Sequence, residues 1–325
     1  MRMINEDEEY RDLLAKIAIL YYKDNLTQTD IAEKFNTTRF KISKMLQEAI
    51  DLKIVEISIN RTERRITSLE SKIKSLFNLK QIIVLRTVHT NSSDTEQIVA
   101  KAAAGFIESL ITRDSVVGLT WGATLYQTIQ NINPPHRLPI TIVQPLGTAG
   151  KRDVTIDTPD LIRRLAEKYD SKYLFLYAPL YIMSNQVRES LKLEPVINET
   201  IIALENIDIL LTGIGTPDSI FSTFLWKNYL RQDESLSNVA VGALYGRLFD
   251  QNGRILSTDV NEKVFGVGMS AIKKIKDRVA VVTNRFKAHA VIGALRGGLI
   301  NTLITDELTA VKIINLIDQL DNMSY

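Results

Sequence analysis

The run Gly118-Leu119-Thr120-Trp121-Gly122-Ala123-Thr124-Leu125 sets two glycines and two threonines where a β-type run gives way to a helical pattern. Backbone amides at a helix N-terminus, joined by hydroxyls, can surround an anion, so this segment is a candidate phosphate seat. A tight strand-to-helix turn that needs glycine fits the same residues. Glycine turns recur in Gly147-Thr148-Ala149-Gly150 after Val143 and in Gly213-Ile214-Gly215-Thr216 after Leu211. Gly213 and Gly215 form the first half of a dinucleotide fingerprint without its third glycine, and Gly147 to Lys151 lacks the spacing and the Ser/Thr of a P-loop. Lys287 stands just beyond a β-type run ending at Val282, where its ammonium would enter the crevice beside these turns. A solvated lysine at a helix start is the alternative.

Acid–base and nucleophilic chemistry have little to build on. Asp250 is the one attractive carboxylate, with no matched histidine or second carboxylate in a motif. His89, His136 and His289 are far apart and share no i, i+4 spacing with a carboxylate, so no metal is expected. No Gly-x-Ser-x-Gly elbow occurs. The chain has no cysteine, which excludes a disulfide framework, thiolate metal ligands and a cysteine nucleophile together. The expectation is a protein without catalytic residues or cofactor.

A second group of residues suits a DNA-reading surface. A helix through Ile42, Met45, Leu46 and Ala49 buries those four at i, i+3, i+4 and i+7 and turns Phe40, Lys44 and Gln47 outward. Lys41 and Ser43 lie on its flanks and Arg39 near its start, and Gln28, Thr37 and Thr38 join them as expected DNA contacts. Lysine and arginine neutralise phosphates, glutamine can pair with adenine, and phenylalanine can lie on a thymine methyl. An ordinary lysine-bearing surface helix is the plainer alternative, and the neighbouring elements weigh against it.

Those elements read as follows. Leu14, Ile17, Ala18 and Tyr21 mark a first helix that ends at Lys23-Asp24-Asn25. Thr27 can cap a short second helix, just ahead of Gln28, with Asp30 three residues on and Ile31, Ala32 and Phe35 inward. Asn36 supplies a residue tolerant of positive φ for the turn, and Thr37 or Thr38 can cap the third helix. This is a helix-turn-helix, and the alternation from Ile54 to Ile59 adds a wing strand, closing a domain at 1–60. Residues 61–80 are basic, with Ile66, Leu69, Ile73 and Leu76 at helical spacing, and are expected to be a linker helix whose stripe could pair subunits. From 81 to 325, β-branched runs at Ile82–Leu85, Val116–Leu119, Ile140–Val143, Tyr173–Tyr177, Ile209–Ile214, Val279–Val282 and Ile300–Ile304 alternate with helical patterns. That alternation gives an α/β, doubly wound parallel sheet, with ligands at the carboxyl ends of its strands.

With 325 residues, 45% of them hydrophobic, the chain has enough apolar material for more than one folded domain, and disorder is excluded as its main state. Forty basic against 38 acidic residues leave no overall field to attract nucleic acid, so local clustering must do so. The acidic opening at Met1 to Glu9 is no secretory signal, and no apolar run is long enough to span a bilayer. A cytoplasmic protein without membrane contact is expected.

The run Leu26-Thr27-Gln28-Thr29-Asp30-Ile31-Ala32, with Lys41-Ile42-Ser43-Lys44-Met45-Leu46 and Ile54-Val55, resembles the helix-turn-helix of the SorC family of bacterial sugar-responsive transcription regulators. Ala294-Leu295-Arg296-Gly297-Gly298-Leu299-Ile300-Asn301 and Leu303 through Ala310 resemble the close of that family's effector domain. Thr120-Trp121-Gly122, Val143-Gln144, Ala178-Pro179, Gly213-Ile214-Gly215 and Gly246-Arg247-Leu248-Phe249-Asp250 fit between them in order. The resemblance implies an effector domain of the glucosamine-6-phosphate deaminase and ribose-5-phosphate isomerase type, binding a sugar phosphate and coupled to operator DNA, usually in a tetramer. Carried over by position, Thr120, Gly122, Ala123 and Thr124 would hold the phosphate or neighbouring hydroxyls, Gln144 and Gly147 the sugar, and Lys287 an anionic oxygen. Trp121, Gly213, Gly215 and Asp250 lie in matching motifs and join the expected site. Ala243 stands where the family usually has a carboxylate, and Thr283-Asn284 where it usually has two glycines. The alternative function is a sugar-phosphate isomerase or deaminase-like enzyme.

Overall fold

The computed structural model describes residues 2–55, 64–87, 90–150, 153–221, 239–258 and 260–322. The chain divides into two compact units, Met1–Thr62 and Glu63–Tyr325.

In the first unit α1 (Arg2–Tyr22), α2 (Gln28–Lys34) and α3 (Arg39–Asp51) surround a core of Leu14, Ile17, Ala18, Ile31, Ala32, Ile42, Met45, Leu46 and Ala49. Local chemistry fixes where the helices start. Thr27 accepts from the Asp30 amide at 3.2 Å while the Asp30 carboxylate accepts from the Thr27 amide at 3.0 Å, a reciprocal cap that satisfies two amides otherwise left without partners. Hydrogen bonds from the Thr27 hydroxyl and amide hold the Asp30 carboxyl below its usual pKa. Asn36 takes the turn at φ 49°, and Thr38 caps α3 through the Lys41 amide at 3.2 Å. Ile54 and Val55 pack on the same core; the rest of the expected wing, from Glu56 to Ile59, lies outside the described residues.

In the second unit seven parallel strands form one sheet. They are β1 (Gln81–Leu85), β2 (Val116–Leu119), β3 (Thr141–Val143), β4 (Lys172–Leu174), β5 (Ile209–Thr212), β8 (Asp277–Val282) and β9 (Thr302–Asp306), in the order β1-β9-β8-β5-β2-β3-β4. Each of the seven β-branched runs contributes one strand. Because successive side chains point to opposite faces, Ile82, Val84, Leu210, Ala280, Val282 and Leu303 enter one core, and Ile83, Leu85, Ile209, Leu211, Val279, Val281 and Ile304 enter the other. Helices Ser92–Leu110, Ala123–Asn131 and Thr158–Tyr169 cover the second of these cores. Helices Thr67–Leu76, Ala288–Arg296 and Glu307–Asn322 belong to the first. The expected strand from Tyr173 to Tyr177 leaves the ladder after Leu174, because the Leu176 amide bonds to the Gln144 side chain at 3.1 Å.

The helix expected within 61–80 is Thr67–Leu76, and its own unit covers part of the stripe: Ile66 and Ile73 are buried, while Leu76 is 41% exposed. Ile73 is fully buried in the sheet's core, and the buried Glu70 carboxylate accepts from the Val84 amide at 2.9 Å and from Arg65 at 2.9 Å. Burying a side chain the size of Ile73 contributes about 1.5–3 kcal/mol, which favours this docking over an exposed linker.

An element that periodicity does not reveal completes the unit. β6 (Gly242–Leu244) and β7 (Arg247–Phe249) form an antiparallel hairpin. Tyr245 at φ 54° and Gly246 at φ 73° make its two-residue turn, the left-handed pair whose twist matches the strands. Gly215 and Ala243 exchange both backbone hydrogen bonds, at 3.0 and 2.9 Å, so the hairpin hangs from the loop after β5.

Candidate functional site

Strands β8, β5 and β2 are neighbours, and the chain runs outward from β2 to β3 and β4 before returning to place β5 on the other side of β2. A crevice must open at the carboxyl ends of β2 and β5, where the winding changes direction. A cavity of about 220 Å³ lies there. Thr120, Trp121, Gly122, Ala123 and Thr124 line it after β2, Gly213 and Gly215 after β5, and Lys287 after β8.

The β2 turn is organised by its backbone. Thr120 is buried; its amide donates to Leu211 at 3.0 Å, and its hydroxyl donates to Thr212 at 3.2 Å, which donates on to the Gly213 carbonyl at 2.9 Å. Gly122 sits at φ 134°, ψ 156°, in a conformation side chains rarely adopt, and its amide donates to Ile156 at 3.0 Å. Ala123–Asn131 begins immediately afterwards with no side-chain cap, so its first amides have no partner inside the helix and the positive end of its dipole meets the cavity.

Lys287 supplies a full charge. It is partly buried, and desolvation lowers its pKa, opposed by the field of Glu96. Among the described residues no hydrogen bond or salt bridge holds its ammonium. The backbone before it is constrained: Asn284 stands at φ 91°, its side chain accepting from the Phe286 amide at 3.0 Å and its own amide donating to the buried Asp306 at 3.3 Å.

The opposite wall comes from residues outside the expected site. Leu180, Tyr181, Leu244, Tyr245 and Gly246 line it, and Ser219 and Ile220 join from the segment after β5. The Tyr181 hydroxyl donates to the Gly246 carbonyl at 2.7 Å and the Tyr245 hydroxyl to Leu299 at 3.1 Å. Burial pushes the Tyr245 phenol's pKa upward. Gly246 was the one available signal, since glycine takes the positive φ of a tight hairpin turn at no steric cost.

Three expected residues lie outside the lining. Gln144 is buried, its amide nitrogen donating to Thr148 at 3.3 Å and its oxygen accepting from Leu176. At Gly147 an added Cβ would stand 2.3 Å from the Pro179 carbonyl oxygen, so close packing accounts for the glycine. Asp250 accepts from the Asn252 and Arg254 amides, both at 2.9 Å, and closes the turn after β7. His136 and His289 are exposed, His89 is outside the described residues, and no group of three potential metal ligands occurs among the described residues.

On the first unit, Arg39, Phe40, Lys41, Ser43, Lys44 and Gln47 are all exposed, with Phe40 at 81%. Gln47 donates to Asp51 at 3.0 Å. Thr37 and Gln28 are half-buried, while Thr38 is engaged in capping. Gln28 and Arg39 share an open groove with Tyr21, Tyr22 and Asn25.

Residues 63–315 match the family model described as "Putative sugar-binding domain". The chain belongs to the SorC family. This SorC-family chain is 25% identical over 311 residues to the deoxyribonucleoside regulator of Bacillus subtilis (strain 168), covering 95% of this chain and 99% of that protein. It is 24% identical over 303 residues to the sorbitol operon regulator of Klebsiella pneumoniae, covering 92% and 96%. The crystal structure of the full-length Klebsiella pneumoniae regulator SorC superposes with a TM-score of 0.72 at 22% identity, over 93% of this chain and 98% of that one, which shows a shared fold. No helix among the described residues is long and apolar enough to cross a membrane.

Proposed function

We propose that this SorC-family chain is a DNA-binding transcriptional regulator of carbohydrate metabolism, with operator affinity controlled by a phosphorylated sugar at the β2–β5–β8 crevice. One observation carries the effector half. Free helix-terminal amides at Ala123 and Thr124, and a desolvated Lys287 ammonium without a bonded acceptor among the described residues, line one cavity. Fixed donors and a cation disposed this way favour an oxyanion, because the donors are ordered before the ligand arrives. The DNA half is supported by the exposed basic face of α3, anchored by its buried stripe. The names of the regulators it resembles agree with both halves.

The effector couples to DNA by differential binding. A phosphate-bearing ligand that favours one arrangement of the protein shifts operator affinity, and DNA must shift ligand affinity by the same factor. The enzyme alternative would call on Asp250, which instead closes the turn after β7 and lies outside the cavity. A thermal-shift screen of sugar phosphates on the full chain, followed by operator binding with each hit, tests the proposal. A ligand of the native state raises the unfolding temperature by mass action. Hits that leave operator affinity unchanged would separate the cavity from regulation.

A further inference from the structure

The wall facing the anion seat decides what else the ligand can carry. Leu180, Ile214, Ile220, Ala243 and Leu244 form much of it, so the body of a ligand whose phosphate meets Lys287 rests on hydrocarbon. The hydroxyl groups there already have partners for their protons: Tyr181 donates to Gly246, Tyr245 to Leu299 and Ser219 to Thr216. At Ala243 the backbone amide and carbonyl are both taken by Gly215, and the side chain is a methyl group packed with Ile220 and Leu248. A ligand hydroxyl brought against this wall loses water and gains little in exchange.

We infer that the cavity selects a small phosphate monoester poor in hydroxyl groups, of the deoxy-sugar or short alkyl type, over a polyol phosphate. This rests on the proposed phosphate-binding reading and adds the chemistry of the ligand's other end. The cavity volume of about 220 Å³ sets the scale, being below the usual ~300–1,000 Å³ of pockets that hold larger ligands.

Four phosphates with five carbons and the same charge test it: ribitol 5-phosphate, ribose 5-phosphate, 2-deoxyribose 5-phosphate and n-pentyl phosphate, titrated calorimetrically into the full chain beside inorganic phosphate. Affinity is expected to rise as hydroxyls are removed, with 2-deoxyribose 5-phosphate roughly tenfold or more ahead of ribitol 5-phosphate. Ala243→Asp should favour the polyol instead; should that variant misfold, Ala243→Ser should narrow the gap. Ribitol 5-phosphate binding as tightly as the deoxy compound to the native chain overturns the inference, while Lys287-dependent phosphate binding would leave the function standing. Failure of every phosphate to bind, or binding unaffected by Lys287→Ala, overturns both.

Discussion

The Tyr181 hydroxyl is tied to the carbonyl of Gly246 at 2.7 Å, joining the segment after β4 to the turn of the β6–β7 hairpin across one wall of the cavity. Tyr181→Phe keeps the ring and removes the bond. Stability is expected to fall by about 1 kcal/mol, the usual net worth of such a bond, and effector affinity by several-fold as the wall loosens. Urea unfolding and calorimetry measure the two effects separately. Unchanged affinity would mean that the hairpin holds its turn without Tyr181.

Lys287 gives a prediction with opposite signs for folding and function. Its cation is desolvated without a bonded acceptor among the described residues, so its pKa in the folded chain lies below its unfolded value. Folding therefore disfavours the protonated lysine, and the stability deficit is fullest below the folded pKa and closes as pH rises through it towards the unfolded value. Lys287→Met should raise the melting temperature of the ligand-free protein at neutral pH, with the gain shrinking towards about pH 10. The same variant should lose protection by phosphate. A melting temperature lowered at neutral pH would show that the ammonium has a stabilising partner.

The periodicity of α3 identified its buried face, and the seven β-branched runs identified the sheet, because one-faced helices and strands buried on both faces leave those patterns in the residues. Thr27 and Asn36 were legible for a similar reason: capping and positive φ are local demands. The β6–β7 hairpin was not, since every residue from Gly242 to Phe249 is buried and no alternation survives. Its contribution to the cavity depends on Gly215 pairing with Ala243, a contact between distant segments that spacing cannot express. The stripe at Ile66 and Ile73 was visible, but its partner was not: a periodic pattern says that a face is covered, and only packing says by what.

On α3, positioning and reading should separate. Lys44→Ala should weaken binding to all DNA sequences and lower the salt slope by about 1, as expected for one lost phosphate contact. Phe40→Ala should cost roughly 1–3 kcal/mol concentrated at one base pair. Gln47 is bonded to Asp51 and must release it to reach a base, so Asp51→Ala should tighten operator binding where Gln47→Ala weakens it. Competition binding across operator variants at several salt concentrations checks all four. Equal losses on specific and random DNA would remove Phe40 and Gln47 from the reading face.

Asn284 holds the approach to Lys287 in a backbone conformation that side chains rarely adopt, at φ 91°. Its side-chain oxygen offsets part of that strain by accepting from the Phe286 amide at 3.0 Å, and Asp306 fixes the Asn284 amide at 3.3 Å. Alanine keeps the Cβ penalty and loses the side-chain bond, so Asn284→Ala should destabilise the protein by about 1–3 kcal/mol. Glycine also loses the bond but removes the steric cost, so Asn284→Gly should fall well short of that loss. Effector affinity should follow the same order, because the short helix Arg285–Lys287 starts from this residue and sets where the ammonium stands. Chemical unfolding of both variants, paired with phosphate titrations, decides it. A glycine variant as unstable as the alanine one would place the role of Asn284 in its hydrogen bond alone and leave the backbone angle without consequence.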